Sequence, residues 1–139
     1  MVKINVLIND RKWKNFFNPD VYFKKKQNKL NSLKPFKKKI IFTVVLSNTK
    51  HLKKLNKKFR NKNKSTDVLS FPTNEKTYIG DIIINFSKVK KKHDIKEFKF
   101  EFDKLWIHGF LHLLGYNHKS EKDYYKMNKK EKSFLKLVN

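Results

Sequence analysis

The chain has 139 residues, of which 35 are basic and 12 acidic, giving a formal charge of +23, and it has no cysteine. That length sets the expectation of a single domain over residues 1–139, and the missing cysteine excludes both a disulfide framework and thiolate metal sites. The longest apolar run, Ile40 to Leu46, is far short of the ~20 residues that span a bilayer, and the alternating N-terminus is unlike a signal peptide, so a soluble cytoplasmic protein is expected.

In chain order, Val2, Ile4, Val6 and Ile8 alternate with Lys3, Asn5 and Asn9, the period of a strand. Leu7 breaks the alternation and suggests burial on both faces over part of its length. From Asp10, an N-cap residue, to about Leu33 the pattern weakens. Trp13, Phe16, Phe17, Val21 and Phe23 form a helical stripe that Asn18-Pro19 interrupts, and the Lys24–Lys29 run reads as a solvated face or loop. Pro35 marks a boundary before Ile40–Ser47, a β-branched run with the character of a central strand. Ser47 or Asn48 can cap a helix reaching about Arg60, with Leu52, Leu55 and Phe59 on one stripe.

Asp67–Phe71 reads as a short strand stopped by Pro72, and Tyr78–Phe86 as its antiparallel partner across a short turn. Ser87 would open a basic helix ending near His93, and a long helix from about Phe98 would carry Phe102, Leu105 and Trp106. Ser120-Glu-Lys-Asp123 is a capping box for a terminal helix striped by Tyr124, Met127, Phe134, Leu135 and Val138. Enough chain separates the first two strands for a helical crossover, so they should be parallel. The fold class expected is α+β: a mixed four-stranded sheet with one short antiparallel edge strand, packed against several helices.

Chemistry concentrates between Trp106 and His118, where three of the five histidines lie within eleven residues. On a helix, His108 and His112 sit about 40° apart and ~6 Å along the axis, close enough to share one ion. His118, ~240° further round and ~9 Å further along, can join them only if the helix ends first, and Gly115 can adopt the left-handed conformation that ends it. Three neutral imidazoles suit Zn²⁺, one ion per chain, and leave a fourth position open, as in a catalytic rather than a structural site. The site is expected at the C-terminal end of the long helix. The spacing also matches the zincin pattern H-E-x-x-H-x-x-G-x-x-H, except that Gly109 stands where a metalloprotease carries its general-base Glu.

The run His108-Gly109-Phe110-Leu111-His112-Leu113-Leu114-Gly115-Tyr116-Asn117-His118 resembles the signature of the YbeY family of bacterial metal-dependent endoribonucleases. The block Leu55–Pro72 resembles the family's other characteristic segment, and Gly80-Asp81-Ile82-Ile83-Ile84 its following strand, so the likeness covers roughly residues 40–138. The chain departs from the family pattern at Asn117, where Asp is usual, and at Ser65, where Pro is usual. The resemblance implies a layered α+β fold and a zinc-dependent endoribonuclease acting on single-stranded RNA. Its implied role is maturation of the 16S rRNA 3′ end on the small ribosomal subunit and ribosome quality control.

Arg60, one of only two arginines, matches the family's Arg, and its planar fork can hold a phosphate in two places, the basis for a catalytic role. Asp67 reads as a turn or cap residue, and Glu131, on the apolar stripe of the last helix, as a solvated rim residue that could instead orient a ligand imidazole. The charge alone does not decide for a polyanion, because Lys, Asn, Ile and Phe are all over-used while Gly, Pro and Arg are scarce. A zinc peptidase and a non-catalytic RNA-binding assembly factor with a metal-stabilised fold are the competing readings.

Overall fold

The computed structural model describes residues 1–32, 36–61 and 66–139. The expected Leu33 helix end, the Pro35 boundary and the Ser65 departure lie outside them.

Four strands form one sheet: β1 (Val2–Ile8), β2 (Ile40–Ser47), β3 (Val68–Pro72) and β4 (Tyr78–Asn85), in the order β1-β2-β4-β3. As the sequence predicts, β1 and β2 are parallel and β3 runs antiparallel to β4 at the edge; β2 also pairs in parallel with β4. The apolar run of β2 is continuous because both its faces are covered. Phe42, Val44 and Leu46 join Ile82 and Ile84 in the main core, while Val45 and Ile83 face the opposite way with Leu69 and Leu52.

Helix α2 (Thr49–Arg60) covers the smaller side, and α1 (Pro19–Ser32), α3 (Ile95–Leu113) and α4 (Glu121–Val138) form the larger layer. Leu7, expected to be buried with the rest of β1, is 54% exposed, because the small cluster under α2 reaches only β2, β4 and β3. Phe59 also departs from its stripe at 59% exposed, lying past the end of that cluster with its ring edge-on to Phe71 at 5.5 Å.

Local signals explain most helix boundaries. Asn48 caps α2 by accepting from the His51 N–H at 3.0 Å, and Ser120 caps α4 by accepting from the Asp123 N–H at 3.1 Å. The aromatic stretch after Asp10 divides into a 3-10 turn (Arg11–Asn15) and α1, with Pro19 at the first helical position. The basic helix expected from Ser87 does not form. Phe86–Lys88 makes one 3-10 turn, Lys91 takes a left-handed φ of 65°, and Asp94 starts α3 three residues before Phe98 by accepting from the N–H groups of Lys96 and Glu97.

The Lys24–Lys29 run lies on α1, and Lys26 departs from the solvated reading. Its Nζ lies 3.1 Å from the Asp103 carboxylate and donates to the Val138 carbonyl at 3.0 Å. Asp103, 1% exposed, also accepts from the Tyr22 hydroxyl at 2.6 Å and the Trp106 indole at 2.8 Å. This ion pair joins α1, α3 and the end of α4, and it satisfies a carboxylate that would be costly to bury alone. The same helix α1 attends to the edge of the sheet: Asn31 Oδ1 accepts from the Val2 N–H at 2.7 Å, its Nδ2 donates to the Val2 carbonyl at 2.9 Å, and Gln27 Oε1 accepts from the Ile4 N–H at 2.8 Å.

No helix among the described residues is long and apolar enough to cross a membrane.

Candidate metal centre

Helix α3 packs against the sheet through Phe98, Phe102, Trp106, Phe110 and Leu111, all fully buried, and that fixes its rotation. His108 and His112, four apart, then share its half-buried flank beside β3. Gly109 permits the close approach: a Cβ there would stand 2.6 Å from an Ile82 side-chain carbon and 3.1 Å from the Ser70 hydroxyl, which donates to the Gly109 carbonyl at 3.1 Å.

The helix stops where the sequence predicts. The Tyr116 N–H bonds the Leu111 carbonyl and the Gly115 N–H bonds the His112 carbonyl, each at 3.0 Å, with Gly115 at φ 102°. This is the Schellman arrangement, and it returns the chain so that His118 reaches the other two. Asn117, the departure from the expected Asp, still holds the following turn by accepting from the Lys119 N–H at 3.1 Å.

The three rings converge, with one potential ligand atom from each lying within 4.8 Å of the others. Among the described residues this is the one His/Cys/Asp/Glu group of three or more so arranged. His112 Nδ1 donates to the Tyr116 carbonyl at 3.0 Å, and His108 Nδ1 donates to Glu131 Oε1. Both rings thereby hold their proton on Nδ1 and turn Nε2 lone pairs toward the same space, 3.0 Å apart. Two such lone pairs repel unless a cation or proton lies between them. A tetrahedral zinc ion with bonds of ~2.0–2.1 Å separates its ligand nitrogens by about 3.3 Å, so the donor set fits one. Burial of the ring, reinforced by His108, holds the His112 imidazole below the usual histidine range and keeps it neutral, as a ligand must be.

Glu131 is therefore a partner of His108 and not a free rim residue. A groove of about 970 Å³ runs over the cluster and brings Arg60, at the last position of α2, to the same cavity as the three histidines, together with Lys104 and Lys119. Asn61, left-handed at φ 53°, ends α2 directly after Arg60. Asp67 behaves as the cap residue expected, accepting from the Val68 N–H at 2.8 Å at the groove's rim.

The family model described as endoribonuclease YbeY matches residues 7–139. The chain belongs to the YbeY family. It is 44% identical over 153 aligned residues to the endoribonuclease YbeY of Pelagibacter ubique, covering 99% of this chain and 97% of that protein. It is 35% identical to the YbeY protein of Ehrlichia chaffeensis, covering 97% and 91% of the two chains. The solution structure of the Thermotoga maritima protein TM1509 superposes with a TM-score of 0.66 at 25% identity, over 98% of this chain and 89% of that one.

Within this YbeY chain, sequence reasoning missed Lys104, Lys119 and Ser70 as groove residues. Nothing local distinguishes two lysines in a chain with 35 basic residues, and Ser70 lies on a strand whose facing is set by its pairing with β4.

Proposed function

We propose that this chain is a zinc-dependent endoribonuclease specific for single-stranded RNA, with residues 1–139 forming one catalytic domain. His108, His112 and His118 are its metal ligands and Arg60 its phosphate-binding catalytic residue. The observation that carries this reading is the groove itself, in which three imidazoles with converging nitrogens share a cavity with Arg60. A bound divalent ion would act as a Lewis acid toward a phosphodiester oxygen or lower the pKa of a bound water. Glu131 and the Tyr116 carbonyl fix the orientation and tautomer of two ligands. Arg60 would donate two N–H groups to a phosphate oxygen as negative charge grows on it, and Lys104 and Lys119 would hold the flanking backbone. A formal charge of +23 is compatible with a polyanionic substrate, and Arg60, Lys104 and Lys119 bring part of it to the groove. The 16S rRNA 3′ end, the small subunit, ribosome quality control and a cytoplasmic setting follow from the family resemblance.

Two observations weigh against a zinc peptidase. The position of the protease's general-base Glu is Gly109, where even a Cβ collides with Ile82. A peptide can also bind to a sheet edge as an added strand, and β3 offers few free donors for that. Bonds from Thr73 to Ile79 and from Asn85 to Asp67 set the ladder so that the backbone polar groups of Val68, Ser70 and Pro72 point away from β4. Of their backbone N–H groups, proline lacks one and Asp67 occupies the Val68 one. A non-catalytic assembly factor would not need Arg60 in the imidazole groove.

The test is cleavage of a single-stranded RNA by the purified chain, with and without a chelator, alongside elemental analysis. Activity is expected to vanish with chelator and return with zinc, and His108→Ala, His112→Ala and His118→Ala should each lose metal. Undiminished cleavage in chelator, or full metal content in all three variants, refutes the proposal.

A further inference from the structure

Two tyrosines stand beside the imidazole cluster with their rings in solvent. Tyr124 and Tyr125, early in α4, are 60% and 66% exposed, although the sequence pattern puts Tyr124 on the apolar stripe with the buried Met127. A hollow of about 660 Å³ lies against both and is lined also by His118, Lys119 and Glu121. His118 and Lys119 line the main groove as well, so the hollow adjoins the groove at the third imidazole. Tyr124 further lines a small cavity of about 160 Å³ that touches His108, His118 and Glu131. An RNA strand with one phosphate at the imidazoles and its backbone running toward Lys119 would bring a neighbouring base to the hollow that these rings line.

We propose that Tyr124 and Tyr125 form a platform on which an unpaired base of the RNA stacks, next to the phosphate held at the imidazoles. The inference rests on the endoribonuclease reading and adds to it the element that selects single strands. Lysines neutralise phosphates of single and double strands alike, so the positive groove cannot make that distinction. An aromatic face can, because it needs a base whose own face is free, and a duplex keeps its bases stacked on each other. The platform accepts any base and so sets strandedness and not sequence.

The experiment uses the zinc-loaded full chain and a single-stranded oligoribonucleotide carrying 2-aminopurine, whose fluorescence is quenched by stacking, read in stopped flow before turnover. The wild type should quench the probe. Tyr124→Leu with Tyr125→Leu should abolish the quench and raise Kd and KM by roughly 10- to 100-fold, given the usual strength of base–aromatic stacking. Turnover at saturation, zinc content and the salt dependence of binding should stay the same, as should affinity for a duplex of the same sequence. Tyr124→Phe with Tyr125→Phe, which keeps both rings, should behave as wild type. If the Leu pair quenches and binds as wild type does while cleavage proceeds, the platform is wrong and the endoribonuclease reading stands. If the Phe pair loses as much as the Leu pair, the hydroxyls and not the faces act, and the stacking inference is overturned. A wild type that neither binds nor cleaves single strands overturns both.

Discussion

Replacing Glu131 with Ala removes the carboxylate that accepts the His108 Nδ1–H and tests whether it prepares that imidazole for a metal ion. Partners of this kind change metal affinity by about 10- to 100-fold when lost. The Glu131 and His108 side chains are 25% and 33% exposed, so water can take over the freed N–H and the effect belongs at the low end of that range. We expect zinc affinity to fall ~10-fold, about 1.4 kcal/mol. Glu131→Gln keeps an acceptor oxygen while losing the charge, and it should fall between the two. Competition against a chromophoric zinc chelator at neutral pH measures the affinities, with far-UV circular dichroism of the apo proteins to show that α4 is intact. Unchanged zinc affinity in Glu131→Ala would refute the reasoning, because the His108 tautomer would then not depend on the carboxylate.

Arg60→Lys keeps the charge and removes the fork, so turnover on single-stranded RNA should fall ~10²-fold, about 3 kcal/mol, with zinc content unchanged; equal rates would return Arg60 to the surface. Lys26→Met strands the Asp103 carboxylate, which is 1% exposed, with only the Tyr22 and Trp106 donors. Urea denaturation should show a loss of about 3 kcal/mol, against almost none for Lys24→Met, and equal losses would mean that the pair is not buried in solution. Gly109→Glu restores the zincin pattern in sequence but drives side-chain atoms into Ile82 and Ser70. It should lower the melting temperature and yield no peptidase activity on a casein substrate, whereas a stable and proteolytic variant would defeat the steric argument.

What the sequence discloses here is what neighbours in the chain determine. Asn48, Ser120 and Gly115 act on N–H and carbonyl groups within five positions, so their roles are readable from spacing, as is the pairing of β3 with β4; the insertion of β4 between β2 and β3 is set by long-range pairing and is not readable in that way. Asp94 belongs to the same class: Asp94 with Glu97 is a helix-start signal that sets α3 earlier than Phe98. Glu131 and Lys26 belong to another class. Their partners lie 23 and 77 residues away on other helices, and in so lysine-rich a chain one inward lysine carries no local mark. Arg60 stood out by its rarity and by the family match. That it shares a cavity with the histidines is a product of the fold.

The hydrogen bonds that Asn31 and Gln27 make to β1 bear on how the molecule lives among copies of itself. An outer strand offers a row of unused donors and acceptors, and another chain's strand can zip onto it. In β1 the N–H and carbonyl of Val2 and the N–H of Ile4 are already engaged by side-chain amides that imitate the missing neighbour. At the other rim, Pro72 and Asp67 blunt β3 by subtraction of a donor and by capping. Part of each rim is thus engaged without a further strand, and a chain rich in Ile and Phe can fold at cellular concentration with less risk of polymerising through its backbone.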